Sequence, residues 1–295
     1  MRVERRIAGR VVALETTLLA HGVPSDRAEG LWREMSRAVE EGSGGAARGA
    51  VVGVVGGKPV VGMSGEEVMG MIRGGRGVAK LNTANLGLAM ARGESGATTV
   101  SATMEIAASA GVRVFATGGL GGLHWRRGAD DPLDVSADLL ALARFPVCVV
   151  CSGVKAILDV VSTREALETL GVPVVGWRTD DFPAFYLRES GAGVDGRFDD
   201  AKALIAYVRD ELSRTGRGVV VVNAPPKEVA VEQGEWEGWL GRAEEVVRGK
   251  GVRGRGVTPA VLAALHEVSG GRTLAANEAL VVSNARVAGM VAGGV

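Results

Sequence analysis

What this 295-residue chain lacks is charge of one sign: 34 Lys and Arg cancel 34 Asp and Glu, and neither sign gathers into a long stripe. A surface built to hold duplex nucleic acid or an anionic membrane as its main business is thereby excluded, while an anionic small molecule is not. Cysteine is scarce, with Cys148 and Cys151 alone. They form C-x-x-C, but Val147, Val149 and Val150 around them read as a strand, where residues three apart point to opposite faces. No second Cys/His pair completes a zinc site, so the expectation is two buried core thiols rather than a metal or redox pair. No apolar run approaches the roughly 18 residues that span a bilayer, and Met1-Arg-Val-Glu-Arg-Arg-Ile begins no secretory pattern. The expectation is a cytoplasmic protein. Missing too are a Pro/Ser-rich spacer, a low-complexity block and any evident repeat, so residues 1–295 read as one domain with ample material for a core.

Glycine, by contrast, is plentiful at 45 residues, roughly twice the average share, and much of it falls at strand ends. Arg10-Val-Val-Ala-Leu14 reads as a first strand ending at Glu15, and Pro24-Ser-Asp opens an amphipathic helix to about Glu41. Residues 50–55 and 59–63 read as a hairpin, followed by Ser64-Gly-Glu-Glu67 with capping-box spacing. Lys80 is expected in a short polar connection. Gly96 to Glu105 leads into a helix, Val112 to Thr117 is a strand, and a further helix is expected from Ser162 to about Leu170. Residues 172–176 and 218–223 read as strands, and residues 199–215 as a helix. The carboxyl-terminal third is mainly helical: Thr258-Pro259 supplies an N-cap with proline at N1, and a last helix runs from Thr273 to about Val291. Strand, glycine loop and helix in alternation predict an α/β fold with a largely parallel sheet.

In such sheets ligands bind beyond the carboxyl ends of the strands, which gives weight to Glu15, Thr117, Lys155 and Asn223. Lys155 follows the apolar run Phe145 to Cys151 and is expected in the first turn of a helix. The helix dipole and a dry setting would there favour the neutral amine, a nucleophile able to form a Schiff base with a carbonyl. The alternative is a solvated surface lysine. Glu15 reads as a general acid/base or as a simple cap. The loop from Thr117 to His124 offers backbone N–H groups as a candidate phosphate cradle, with His124 and Lys80 as cations, or else a tight turn. Asp130, Asp131, Asp134 and Asp138 gather before and inside a helix start, fitting either a hard divalent cation or the preference of acids for a helix amino terminus. His21 and His266 have no partner readable from the sequence.

Six blocks in one order carry a resemblance: Ala13-Leu-Glu-Thr-Thr-Leu-Leu-Ala-His-Gly22, Gly96-Ala-Thr-Thr-Val-Ser-Ala-Thr-Met104, Phe115-Ala-Thr-Gly-Gly-Leu-Gly-Gly-Leu-His124, Asp134-Val-Ser-Ala-Asp138, Cys151-Ser-Gly-Val-Lys-Ala-Ile-Leu-Asp159 and Thr273-Leu-Ala-Ala-Asn277. From about residue 10 to the end the chain resembles the pseudouridine-5'-phosphate glycosidases, the indigoidine synthase A-like family. The resemblance implies a three-layer α/β/α homotrimer, a lyase that uses one divalent metal per subunit, typically Mn²⁺. It implies reversible cleavage of the carbon–carbon bond between uracil and ribose 5-phosphate. It makes Lys155 the nucleophile and Glu15 the proton donor and acceptor. Lys80 and the Val100 backbone would hold substrate, and Asp134 would ligate the metal. Ser136, Ala137 and Asp138 would line the site, Thr117 and His124 would face the phosphate, and Asn277 the base.

This chain departs from the family pattern at three places. Leu81-Asn-Thr-Ala-Asn85 replaces a run containing Arg-Asp, Trp125-Arg-Arg127 lengthens the loop after His124, and Gly256 stands where a glutamate is usual. None touches Lys155, Glu15 or Asp134. Two other readings compete: an enzyme joining ribose 5-phosphate to a different aromatic acceptor, and a non-catalytic sugar-phosphate binding protein. The latter needs no amine beside a proton shuttle.

Overall fold

The computed structural model describes residues 1–125, 130, 133–249 and 257–295. Arg126, Arg127, Asp131, Gly256 and the N-cap expected around Thr258 lie outside the described residues or their described side chains. In chain order the elements are β1 (Glu4–Arg5), β2 (Arg10–Glu15), a π-helical turn (Leu18–Gly22), α1 (Ser25–Gly42), β3 (Ala47–Val55), β4 (Lys58–Val61), α2 (Gly65–Gly74), β5 (Ala79–Leu81), α3 (Leu86–Ala91), β6 (Gly96–Thr98), α4 (Val100–Ser109) and β7 (Val114–Ala116). Then follow α5 (Ala137–Arg144), β8 (Cys148–Cys151), α6 (Val160–Thr169), β9 (Val174–Trp177), β10 (Gly196–Phe198), α7 (Ala201–Thr215), β11 (Val219–Asn223), α8 (Gln233–Gly249), α9 (Val257–Val268) and α10 (Arg272–Ala292).

The strands make one mixed sheet in the order β1-β4-β3-β2-β7-β8-β11-β9-β10, with β6 pairing β3 and β5 pairing β6. Among the described strands, only the pairs β3–β4 and β3–β6 are antiparallel. The central run β2, β7, β8, β11 is parallel throughout, so its carboxyl ends share one edge. Its sequences explain the placement: Cys148 to Cys151 and Val219 to Val222 are apolar at every position and buried on both faces, as strands covered by helices on two sides must be. Helix α10 lies across β2, β7 and β8 and packs on α1, while α4 packs on α5 and β2. The architecture is the expected α/β/α arrangement. Both thiols are buried and free, and burial pushes Cys151 up to about 12, so they are core residues.

The capping box at Ser64 and Glu67 is present in full. Two local expectations need correction. Lys80 lies within β5 rather than in a connection. Lys155 is not in a helical first turn: α6 starts at Val160, capped by the Asp159 carboxylate, which accepts from the Ser162 N–H at 3.0 Å. The cause is Gly153, held at φ +72°, where a Cβ would sit 1.7 Å from the Pro183 carbonyl oxygen. The chain cannot wind there against the 183–185 backbone, and runs instead as an arc in which the Lys155 N–H donates to the Leu120 carbonyl at 3.1 Å. The dipole argument for a neutral Lys155 therefore does not apply.

Candidate active site

Glu15 closes β2 at the centre of the sheet and is 8% exposed. The hydroxyl of Thr117, one residue beyond the neighbouring strand β7, donates to its Oε1. Burial holds the Glu15 carboxyl above the ordinary glutamate range, against the lowering pull of the Lys155 charge and the Thr117 hydroxyl; the Asp138 charge raises it and that of Lys80 lowers it. Lys80 feels the same set in reverse: burial lowers its pKa, the Lys155 charge lowers it further, and Glu15 and Asp138 oppose both. Two amines and two carboxylates from β2, β5, α5 and the arc after β8 thus act on one another in one partly dry place. A buried carboxyl that holds its proton more tightly than an ordinary glutamate, set beside amines, is a candidate proton donor and acceptor.

Several predicted residues have a structural duty that the sequence did not announce. Asp138 is buried, and its two oxygens accept from the Ser101 N–H (3.0 Å) and the Gly121 N–H (2.9 Å), so it braces the start of α4 against the glycine loop. Ser136 is the N-cap of α5, its hydroxyl accepting from the Asp138 N–H, and Ala137 is the first residue of that helix. Val100 is the buried first residue of α4. Thr117, expected on the phosphate side, spends its hydroxyl on Glu15. Part of the glycine loop's backbone is already engaged. The N–H groups of Leu120, Leu123 and His124 donate to Gly153, Thr163 and Asp134, and that of Gly121 to Asp138. Its glycines answer to packing: a Cβ on Gly119 would lie 2.5 Å from the Phe185 ring, and one on Gly121 2.3 Å from the Ser136 hydroxyl. Phe185 itself holds a left-handed φ of 55° and donates its N–H to the Ser152 carbonyl at 2.9 Å, a strained wedge behind the loop.

At the rim, His124 Nε2 stands 3.8 Å from Asp134 Oδ2, with the Asp134 side chain 70% exposed. Among the described residues no group of three His, Cys, Asp or Glu gathers around them. One carboxylate facing water, with an imidazole beside it, suits a hard cation that keeps most of its waters. Asn85 fastens Lys80: its Nδ2 donates to the Lys80 carbonyl at 3.1 Å while its Oδ1 accepts from the Asn82 N–H at 2.8 Å. His21, for which the sequence offered no partner, places Nε2 3.2 Å from the Val78 carbonyl, and burial lowers its pKa. Asn277 is buried, its Nδ2 3.4 Å from the Gly22 carbonyl and its Oδ1 without a partner among the described residues. His266 is a packing residue, with Nδ1 2.8 Å from the Thr273 hydroxyl. Asn223, expected beside the reacting groups, instead donates its amide to Ser283 and Asn284 of α10. Asn284 is the residue the sequence reading missed; its one signal is a seven-residue spacing from Asn277 that puts both amides on the same face of α10.

The sequence matches the model of the family described as "Indigoidine synthase A like protein" over residues 3–294. It is 45% identical over 291 residues to a protein of Chloroflexus aurantiacus named pseudouridine-5'-phosphate glycosidase, covering 96% of this chain and 92% of that one. A Methylobacterium nodulans protein of the same name is 44% identical, with 96% of this chain and 82% of that one covered. Among solved structures, an indigoidine synthase A-like protein from Thermotoga maritima superposes with a TM-score of 0.87 at 37% identity, covering 98% of this chain and 95% of that one. The prealnumycin C-glycosynthase AlnA, solved in complex with ribulose 5-phosphate, gives 0.85 at 37% identity, covering 97% and 91%. The chain belongs to the indigoidine synthase A-like family.

Proposed function

We propose that this protein is a pseudouridine-5'-phosphate glycosidase, cleaving the carbon–carbon bond between uracil C5 and ribose C1 to give uracil and ribose 5-phosphate. The observation that carries the reading is the meeting of Lys155, Lys80 and Glu15, whose pKa burial raises, at the carboxyl edge of the sheet. Names shared with relatives at 44–45% identity across nearly the whole chain support it. A carbon leaving group cannot be expelled by protonating an oxygen, so two carboxylates of the ordinary glycosidase kind would not suffice. An amine meets the need. The Lys155 lone pair bonds to C1 as the C1–O4′ bond of the ribose ring breaks, the ring oxygen keeping that electron pair and taking the proton the amine gives up; the C1–C5 bond then breaks, its electron pair and a proton from Glu15 go to uracil C5, and the nitrogen lone pair leaves C1 as an iminium. Water adds to that carbon, and its protons return through Glu15 as ribose 5-phosphate leaves and the amine is regenerated.

Thr117 orients the Glu15 carboxyl for both transfers, while Lys80 places a cation next to the sugar phosphate's oxygens, with Val100, Ser136, Ala137, His124 and Asn277 bordering the space. Asp134, with His124 beside it, would hold a hydrated Mn²⁺. Such an ion would supply charge neutralisation and orientation of the phosphorylated sugar. The reading brings a cytoplasmic setting, supported by the absence, among the described residues, of any helix long and apolar enough to cross a membrane. It also brings a homotrimer, for which exposed Leu133, Val135, Leu140 and Val161 offer apolar surface.

A second reading, bond formation onto another aromatic acceptor, draws on the likeness to AlnA. It differs in the acceptor and not in the chemistry at Lys155. The test is to incubate the protein with Mn²⁺, ribose 5-phosphate and borohydride and measure intact mass, with Lys155→Ala as control. A Lys155-dependent adduct is expected, and turnover with uracil then separates the two readings. No adduct from folded protein would put the non-catalytic binding protein first.

A further inference from the structure

We infer that Asn284 is a positioning residue for the reacting pair: its one side-chain amide fastens the carboxyl ends of three neighbouring strands and so sets Glu15 relative to Lys155. The inference rests on the reading of Glu15 and Lys155 given above. Asn284 is completely buried in the middle of α10, among Leu280, Val281, Ala285 and Ala288 on a face whose other amide, Asn277, lies two turns away. A buried amide in an apolar face is costly unless its donors and acceptor are all used. Here they are. The Nδ2 donates to the Thr117 carbonyl at 2.9 Å, with the Gly118 carbonyl at 3.4 Å and the Ser152 hydroxyl at 3.1 Å also near it. The Oδ1 accepts from Asn223 Nδ2 at 3.0 Å and meets the Ser152 hydroxyl at 3.3 Å.

Those partners lie at or just beyond the ends of β7, β8 and β11, and the three strands lie side by side in the sheet. The ends are bound to each other as well. The Ser152 hydroxyl donates to the Asn223 carbonyl at 2.9 Å, and the Ser152 N–H to the Gly118 carbonyl at 2.9 Å. From this knot two short paths lead to the chemistry. Through Thr117 the path is one residue long, because the residue whose carbonyl Asn284 holds is the one whose hydroxyl holds Glu15. Through Ser152 the chain reaches Lys155 in three residues, with the Lys155 N–H returning to Leu120 of the same glycine loop. Leucine at position 284 would fill the space and serve packing as well, so packing alone gives no reason for an amide.

The test uses the full-length protein with Asn284→Ala, Thr117→Val and their double variant. With Mn²⁺ and pseudouridine 5'-phosphate, Asn284→Ala is expected to lower kcat by about 100-fold, the cost of displacing a reacting group by about 1 Å, with KM changed less than about threefold. It should move the kcat–pH limb governed by Glu15, whose facing charges are Lys155, Asp138 and Lys80. Because both substitutions act through one carboxyl, the double variant should lose scarcely more than the worse single. Losses that multiply, with the limb unmoved, would overturn the inference and leave Asn284 a fold-stabilising residue. Amide hydrogen exchange over residues 117–124 and 152–155 needs no activity: faster exchange confined to these two segments is expected, and wild-type protection there would equally overturn it. Should Asn284→Ala fail to fold, Ser152→Ala cuts the same knot more gently; roughly tenfold lower kcat with the same local exchange supports the inference, and unchanged kcat overturns it. Lack of turnover in the wild type would count against the proposed function, while the exchange experiment would still decide whether Asn284 secures the two loops.

Discussion

The centre of the sheet and its rim are built differently. At the centre, Glu15, Thr117, Ser152 and Asn223 stand at or just beyond the ends of β2, β7, β8 and β11, buried, each with a side-chain atom bound to a protein partner. At the rim, Lys80 sits on three-residue β5, which among the described strands pairs with β6 alone, and Asp134 and His124 face solvent with 3.8 Å between them. The difference teaches a division of labour. Groups that must meet a reacting atom are set on the most rigid part of the fold, where small displacements are expensive, while groups that meet a phosphate or a hydrated cation stand where water and adjustment are available.

Breaking the centre should cost most. Lys155→Ala is expected to lower kcat by more than about 10⁴-fold while leaving substrate affinity, measured by calorimetry, nearly intact. Residual turnover with a large loss of affinity would assign Lys155 to the rim. Next comes Glu15→Gln, at about 10²–10⁴-fold in kcat. It also carries a stability signature. Because the folded-state pKa of Glu15 is raised, the native state binds the proton more tightly, so stability falls as pH rises above the ordinary glutamate range and the carboxyl must ionise while buried. Glu15→Gln should therefore raise the melting temperature at pH 7 and leave it nearly unchanged at pH 4; equal shifts at both pH values would count against a strained carboxyl.

Thr117→Val sharpens the comparison further. Removing a hydrogen bond that lowers the Glu15 pKa should carry the Glu15 limb of the kcat–pH profile to more alkaline pH, with about a tenfold loss at the optimum. A limb that moves the other way would mean that the hydroxyl serves the protonated form. The rim should give least in kcat. Asp134→Asn is expected to raise the Mn²⁺ concentration needed for half-activity by about tenfold after EDTA treatment, with kcat at saturating metal within about threefold of wild type. Full activity of the wild type in metal-free buffer would remove Asp134 from the site.

The sheet was legible because parallel strands buried on both faces need unbroken apolar runs, and Val219 to Val222 and Cys148 to Cys151 can be little else. So were α1, the capping box at Ser64 and the last helix, whose signals are local. Glu15, Lys155 and Asn223 could be placed at strand ends for the same reason. What the sequence hid was distant. Gly153 reads as one more helix-start glycine until the Pro183 carbonyl, thirty residues on, is found to occupy the space of its missing Cβ, and with that the expected helical turn at Lys155 disappears. The glycine loop suggested an anion cradle because its N–H groups are unhindered; that those of Leu120, Gly121 and Leu123 are taken up by Gly153, Asp138 and Thr163 was hidden, because these acceptors come from segments that no local pattern connects to it. Phe185 in a left-handed conformation and the short strands β5 and β10 likewise depend on tertiary partners.

The knot at Asn284 has a consequence in time. Its partners Ser152 and Thr117 precede it by 132 and 167 residues. Closing loops of that length comes late on any folding route, since the chain entropy must be given up before the contact returns anything. On a ribosome adding roughly 5–20 residues per second, these two strand ends would wait roughly 7–33 s for the amide that joins them. A newly made chain would thus have its sheet before it has its site, and in refolding, catalytic activity should be the last property to return, after the far-ultraviolet signal of the helices and strands is complete.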